Sequence, residues 1–447
     1  MKQNTKQMII FKDISGKKVV ADFNGGDVSS DAGLLLLRES ETTLDLFEKV
    51  ANVLDDNRHA SYIKHEITQL LKQRVYQIAS GYEDANDSNE LRRDPIFKIA
   101  CDRSLASDYD LASQPTISRF ENTPRRSMLY RLARALLEVF ITSYDTPPEG
   151  IVIDLDDTAD PTYGNQQLTL FNAYHDCHCY MPMHIYEGKT GKLITTILRP
   201  GKRPSGKEIV TILKRIICII KEAWPEVGIL IRGDSSYSCP AVYRYCKEHN
   251  IKFIFGFKPY STLVKRTRAL KRKARELFKS NHTQIKIYSE FSYQAGSWAS
   301  PNRIIVKAEH NSEGANTRFI VTNLVHANRK FVYETIYCNR GSMELMIKEH
   351  KNHLASERTS CSSFQANQFR LFLHSMAYIL MHHFRNHYLK GTEFAKAQFD
   401  SIRTKIIKIG ARIHHLVTKI KIQLPSSYPY KEDFFKIWEA VGASSYG

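Results

Sequence analysis

Gly150-Ile151-Val152-Ile153-Asp154-Leu155-Asp156-Asp157-Thr158 is the stretch on which the fold turns. It leaves the breaker cluster Asp145-Thr146-Pro147-Pro148-Glu149-Gly150, where the hydrophobic period changes from helical to two-residue alternation. The alternation predicts a strand over Gly150 to Asp156. Val152, Asp154 and Asp156 share one face of it, and Ile151, Ile153 and Leu155 share the other. Asp157 is expected on the face opposite Asp156.

Two more strand-like runs follow, Cys177 to Tyr186 and Leu193 to Leu198, joined by the turn Glu187-Gly188-Lys189-Thr190-Gly191-Lys192. A helical pattern from Gly206 to Ala223 leads to Trp224-Pro225. The strand Gly228 to Arg232, a helix near Pro240 to His249 and the strand Ile251 to Phe257 come next. Three strands, then helix, strand, helix, strand is the order of a ribonuclease H-like core, so the expected fold class is α/β. From Lys258 to Leu324 the alternation breaks. A basic run, Lys265 to Arg275, precedes strand-like segments around Thr283 to Ser289, Arg303 to Ala308 and Arg318 to Val321. This predicts a β-rich insertion, after which the core resumes with a long helix.

Upstream, the pattern is mainly helical. Ser29-Ser30-Asp31 reads as an N-cap before the apolar stretch Ala32 to Leu37, with further helices over His65 to Gly81 and Ser127 to Tyr144. Ser113-Gln114-Pro115-Thr116-Ile117-Ser118-Arg119-Phe120 offers small polar residues and an arginine at a helix start. That suits a recognition helix and equally an ordinary capped one. The expected organisation is therefore a helical N-terminal DNA-binding region over 1–145 and the first part of the core over 146–257. The β-rich insertion over 258–326, the core helix over 327–390 and a C-terminal basic region over 391–447 complete it.

Lysine and arginine outnumber acids by 64 to 47, a net charge of +17 that points to a polyanionic partner. No apolar run approaches the roughly 18 residues that cross a bilayer, and Met1 to Phe11 lacks a signal-peptide core. The expected location is cytoplasmic and nucleoid-associated, without a membrane partner. Scattered cysteines suit a reducing compartment. His175, Cys177, His178 and Cys179 have no second ligand pair at finger or ribbon spacing, so the run reads as strand rather than zinc site.

Three acids stand out by position. Asp156 ends the first strand, Asp234 ends Ile229-Leu230-Ile231-Arg232-Gly233, and Glu344 lies on the helix beyond the insertion. Converging carboxylates raise one another's pKa unless cations balance them, and hard divalent ions are the fitting counter-charge. Two such ions about 4 Å apart can activate a nucleophile and stabilise the leaving oxygen of a phosphodiester. Tyr337, Arg340, Glu344 and Lys351 fall within an arc of about 60° on a regular helix. Phenol, guanidinium, carboxylate and ammonium on one face suit a phosphate backbone beside a metal site.

Tyr337-x2-Arg340-x3-Glu344-x6-Lys351 resembles the Tyr-Arg-Glu-Lys signature of DDE transposases from bacterial insertion sequences. Wider matches resemble insertion-sequence family 1380: Asp22-Phe23-Asn24-Gly25-Gly26, Gly81-Tyr82-Glu83-Asp84, Leu198-Arg199-Pro200-Gly201, Arg232-Gly233-Asp234-Ser235 and Ala366-Asn367-Gln368. The resemblance runs from about residue 20 past residue 385. It implies a metal-binding catalytic triad of Asp156, Asp234 and Glu344. Asp156 is chosen over Asp154, which shares its strand face, because Thr158 follows two residues later as in the family. It also implies magnesium, with manganese as a substitute, and cleavage at terminal inverted repeats. Joining of the 3′ ends to target DNA and a homodimer in the synaptic complex are implied as well. Tyr337, Arg340 and Lys351 would hold DNA, and Trp298 would stack on a flipped base. Lys271, Arg272 and Lys273, in the densest basic run, suit phosphate contact. The alternative is a catalytically inactive, transposase-derived DNA-binding protein.

Overall fold

The computed structural model describes residues 9–106 and 109–445; residues 1–8 of the segment read for a leader lie outside them. The chain forms two compact units. One comprises Met1–Phe47, Asp56–Phe120 and His383–Gly447, the other Glu48–Asp55 and Glu121–His382.

The larger unit is built on one sheet. Its strands are β1 (Gly150–Asp157), β2 (Met183–Glu187), β3 (Leu193–Ile197), β4 (Gly228–Gly233), β5 (Lys252–Phe257), β6 (Ile285–Tyr293), β7 (Asn302–Asn311) and β8 (Gly314–Thr322). Their spatial order is β6-β7-β8-β5-β4-β1-β2-β3. β1 pairs antiparallel with β2, and β2 with β3 through a short turn, whereas β1, β4 and β5 run parallel. Parallel neighbours need a crossover, usually helical. Four helices pack on the sheet: α1 (Arg126–Thr142), α2 (Gly206–Ala223), α3 (Pro240–Glu248) and α4 (Arg268–Asn281). α2 links β3 to β4 and α3 links β4 to β5. α2 begins on a capping box in which the Ser205 hydroxyl accepts from the Glu208 N–H and the Glu208 carboxylate reaches back to the Ser205 N–H. Its apolar stripe of Ile209, Leu213, Ile216 and Ile220 is buried against the sheet.

The turn between β2 and β3 is closed by one side chain. Glu187 accepts from the N–H groups of Lys189 and Thr190 and from the Thr190 hydroxyl, while its other oxygen accepts from the Val152 N–H. That fixes β1 against the hairpin beside it.

Four expectations are revised. The single strand read from Cys177 to Tyr186 divides at Met181-Pro182, because proline has no N–H for a ladder. Its first half, Cys177–Tyr180, pairs instead with Asp160–Pro161 and Leu170–Asn172 in a small separate sheet. The β-rich stretch after Lys258 is not a body of its own, because β8 pairs with β5 and extends the main sheet. Ile304, Val306 and Phe319 share one core with Ile231 and Phe253.

The division between units does not fall at the 145/146 breaker. α1 buries Leu137 and Phe140 in the core of the larger unit, with the Phe140 ring 5.9 Å from that of Trp224. In the smaller unit, Ala411–His415 pairs with Asp27–Ser29, so the C-terminal region joins the N-terminal one. The helix there is Leu34–Glu41, capped by Gly33 with no side-chain bond. Asp31 does not cap it because its carboxylate accepts from the Tyr82 hydroxyl and from Lys408 Nζ.

Candidate functional site

Strand register decides what meets at the end of the sheet. β1 and β4 run parallel with Asp154 opposite Arg232 and Leu155 opposite Gly233, so Asp156 and Asp234 emerge at the same ends of neighbouring strands. Asp154 is taken up by the sheet itself. Arg232 Nε and Nη2 donate to its two oxygens at 2.6 Å each, and Arg232 Nη1 donates to the Ile336 carbonyl. Burial raises the Asp154 pKa and Arg232 opposes the rise. Gly188 leaves room for this pair, since a Cβ there would stand 2.3 Å from Asp154 Oδ2. Asp154 is thus held on both oxygens by Arg232, whereas Asp156 lies nearer the strand end, where it feels the charge of Asp234.

Asp156 Oδ2 accepts from Arg340 Nη1 at 2.7 Å. Burial pushes the Asp156 pKa up, Arg340 pulls it down, and the negative charge of Asp234 adds to the rise. Asp234 is oriented by its own turn, its oxygens accepting from the Ser236 N–H at 2.7 Å and the Ser236 hydroxyl at 3.2 Å. Asp157, expected to face away, still feels this cluster at the last position of β1. Burial, with Asp156 and Asp234 adding, pushes it up to about 6.

Two arginines outside the expected set complete the surroundings. Buried Arg199 donates to Glu208 Oε1 at 2.7 Å and stands 3.7 Å from Asp157 Oδ2. Arg203 Nη2 donates to the carbonyls of Ser235 and Ser236 at 2.7 and 2.8 Å, clasping the turn that carries Asp234. The signal for Arg199 in the sequence was the Leu198-Arg199-Pro200-Gly201 stretch, which carried a family match but no chemistry; Arg203, two residues beyond it, carried none.

The helical segment beyond β8 is not uniform. Arg329–Phe331 and Gly341–Lys348 are α-helical, Val332–Tyr337 and Glu349–His353 are π-helical, and Cys338–Arg340 is a 3₁₀ turn. Wider and tighter turns shift the phase that a 3.6-residue period assumes. Arg340 reaches Asp156. Tyr337 is half-buried, with its hydroxyl 2.7 Å from where a Cβ on Gly256 would stand. Burial raises the Tyr337 pKa, Arg340 opposes this and Asp234 adds to it. Lys351 donates to Thr158 Oγ1 at 3.2 Å and to the Ala159 carbonyl. Glu344 is exposed. Among the described residues, no group of three His, Cys, Asp or Glu side chains is placed to hold a metal ion.

Residues 11–445 match the family model described as transposase DDE domain group 1. The chain belongs to this DDE transposase family. No curated protein matches it significantly. Among solved structures it is similar to a piggyBac transposase in a synaptic complex with hairpin DNA, determined by cryo-electron microscopy. The identity is 9%, the TM-score 0.42, and the match covers 85% of this chain and 80% of that one. No helix among the described residues is long and apolar enough to cross a membrane.

DDE transposases use divalent metal ions, and the donor chemistry here fits such an ion in part. At the strand end beside Asp234, burial and that neighbouring charge raise the proton affinity of Asp156 and the Arg340 guanidinium opposes the rise, so a hard cation would relieve the same repulsion. Trp298 is 7% exposed and packs among the rings of Tyr243, Phe257 and Tyr293 at 5.1 to 5.5 Å. It presents no open face on which a base could stack, because the loop after β6 folds it into the core of the sheet. The basic run from Arg268 onward lies in α4, where Ala274 is buried while Arg272 and Lys273 are exposed and Lys271 is half-buried.

Proposed function

We propose that this DDE transposase binds the terminal inverted repeats of an insertion sequence, cleaves DNA with divalent metal ions and joins the 3′ ends to target DNA. The placement of Asp156 and Asp234 at the same ends of adjacent parallel strands carries this reading. The antiparallel β1-β2-β3 meander beside parallel β1-β4-β5 supports a ribonuclease H-like core, and the quoted motifs support insertion-sequence family 1380. Asp156 and Asp234 would hold magnesium or manganese, with exposed Glu344 available as a third ligand. Bound there, the cation supplies counter-charge and Lewis acidity at the scissile phosphate.

The protein's own groups do the positioning. Ser236 and Arg203 orient the Asp234 turn, and Arg232 removes Asp154 from competition. Arg340 and Tyr337 lie where a phosphate beside Asp156 would be gripped. The exposed cations of α4 extend the track for duplex DNA. Two ends must be brought together, so the working form would be a homodimer on nucleoid DNA, with the helical N-terminal region contributing to end recognition.

Purified protein with magnesium is expected to nick a duplex carrying the element's terminal repeats and to yield strand-transfer products. Glu344→Ala should abolish cleavage and leave end binding measurable; normal cleavage by that variant would remove Glu344 from the triad. The exposure of Glu344 favours a second reading, a catalytically inactive DNA-binding descendant. End binding without cleavage in either magnesium or manganese would select it.

A further inference from the structure

Lys351 closes the helical stripe read as facing DNA, yet its ammonium is engaged inside the protein. Nζ donates to Thr158 Oγ1 at 3.2 Å and to the Ala159 carbonyl, and it stands 3.6 Å from Asp160 Oδ1 and 3.4 Å from Glu357 Oε2. An ammonium has three donors; two are spent on Thr158 and Ala159, and the carboxylates of Asp160 and Glu357 surround the charge. Thr158, Ala159 and Asp160 are the residues that leave β1 directly after Asp156 and Asp157. Asp160 is buried, and Lys351 is the cation that opposes the cost of burying it. Beyond this point the chain is held again, where Asp160 and Pro161 pair with Tyr180 and Cys179.

We infer that Lys351 is a positioning residue. It ties the segment leaving β1 to the helical run that carries Arg340 and Glu344, and it does not contact a DNA phosphate. A site of this kind needs its ligands held to within roughly half an ångström. The carboxylate of Asp156 stands two residues from the nearest oxygen that Lys351 grips. A phosphate contact would have to draw the ammonium away from these partners and so loosen the strand end when the reaction needs it fixed. The consequence for cleavage rests on the proposed function; the tie itself does not.

The test uses the full-length chain and Lys351→Met. In DNA-free protein, amide hydrogen exchange over residues 156–161 is expected to quicken at least tenfold, and unchanged exchange would overturn the inference. The salt dependence of duplex DNA binding is expected to match wild type. A slope reduced by about one would mean a lost phosphate contact and would also overturn it. Glu357→Gln and Asp160→Asn keep the lysine and remove its partners. Both are expected to slow end cleavage at least tenfold with end affinity within twofold, which loss of a DNA-contacting lysine would not mimic. Normal cleavage in both would refute the assignment. If Asp160→Asn does not fold, the more exposed Glu357→Gln decides this arm. Should wild type cleave no DNA at all, the proposed function fails while hydrogen exchange and the salt slope still judge Lys351.

Discussion

Arg340 Nη1 stands 2.7 Å from Asp156 Oδ2, joining the helical segment beyond the sheet to the end of β1. Both side chains are 17% exposed, so the pair is mostly withdrawn from water. The guanidinium occupies the aspartate that a metal ion would use. Its charge opposes the rise in the Asp156 pKa that burial and Asp234 cause.

Arg340→Ala is therefore expected to destabilise the metal-free protein by about 2 kcal/mol, as removal of one partner from a largely buried pair does. Urea unfolding measures this. Magnesium should return part of the loss in the variant and add less to wild type, where Arg340 already balances the charge. Equal stabilisation of both proteins would argue that the ion does not bind at Asp156.

Asp154 and Asp156 lie two residues apart and are expected to fail differently. Asp154→Asn leaves Arg232 buried without its counter-charge and should cost about 3–5 kcal/mol. Asp156→Asn should change stability far less while abolishing cleavage. Thermal unfolding run beside a cleavage assay separates the two, and reversed phenotypes would exchange the assignments.

Trp298 is a core residue in this fold. Trp298→Ala should cost about 3–5 kcal/mol, as truncation of a buried aromatic does, and added DNA should not quench the fluorescence of its indole. Quenching specific to Trp298, measured with Trp224 and Trp438 replaced by phenylalanine, would return it to the DNA interface.

Asp160 sets a pH dependence whose sign follows from burial. Its folded pKa is raised to about 7 by burial, with Lys351 opposing and Glu357 adding, whereas an unfolded aspartate titrates near 3.9. Between about pH 4 and 7 the native state holds the proton more tightly. The contribution of Asp160 to stability therefore falls as pH rises through that window. Asp160→Asn should flatten this part of the stability profile; an unchanged slope would assign it to another group.

Much of the site was legible because strand alternation is a strict code. Ile151, Ile153 and Leu155 against Asp154 and Asp156 marked both the strand and the end at which acids gather. The Pro147-Pro148 breaker marked where β1 begins, though not where the units divide, because α1 packs through Leu137 and Phe140 on the far side of it. The ion pair from Asp154 to Arg232 joins two strands 78 residues apart, and no local pattern encodes it. Helical phase was the weakest inference. Tyr337, Arg340 and Lys351 were placed on one face by assuming regular turns, and π and 3₁₀ turns redistribute them. Lys351 consequently meets Thr158 and Asp160, and Glu344 is left exposed. The edge strands β6 to β8 were legible as strands, but their continuation of the main sheet depended on the pairing of β8 with β5.

The most direct test is metal-dependent cleavage of duplex DNA carrying the terminal repeats by wild type, Asp156→Asn and Asp234→Asn, each verified as folded by circular dichroism. Nicking by wild type that requires magnesium or manganese, and its loss in both variants with end binding retained, is the predicted result. Cleavage that persists in either variant would contradict the placement of the catalytic centre between β1 and β4.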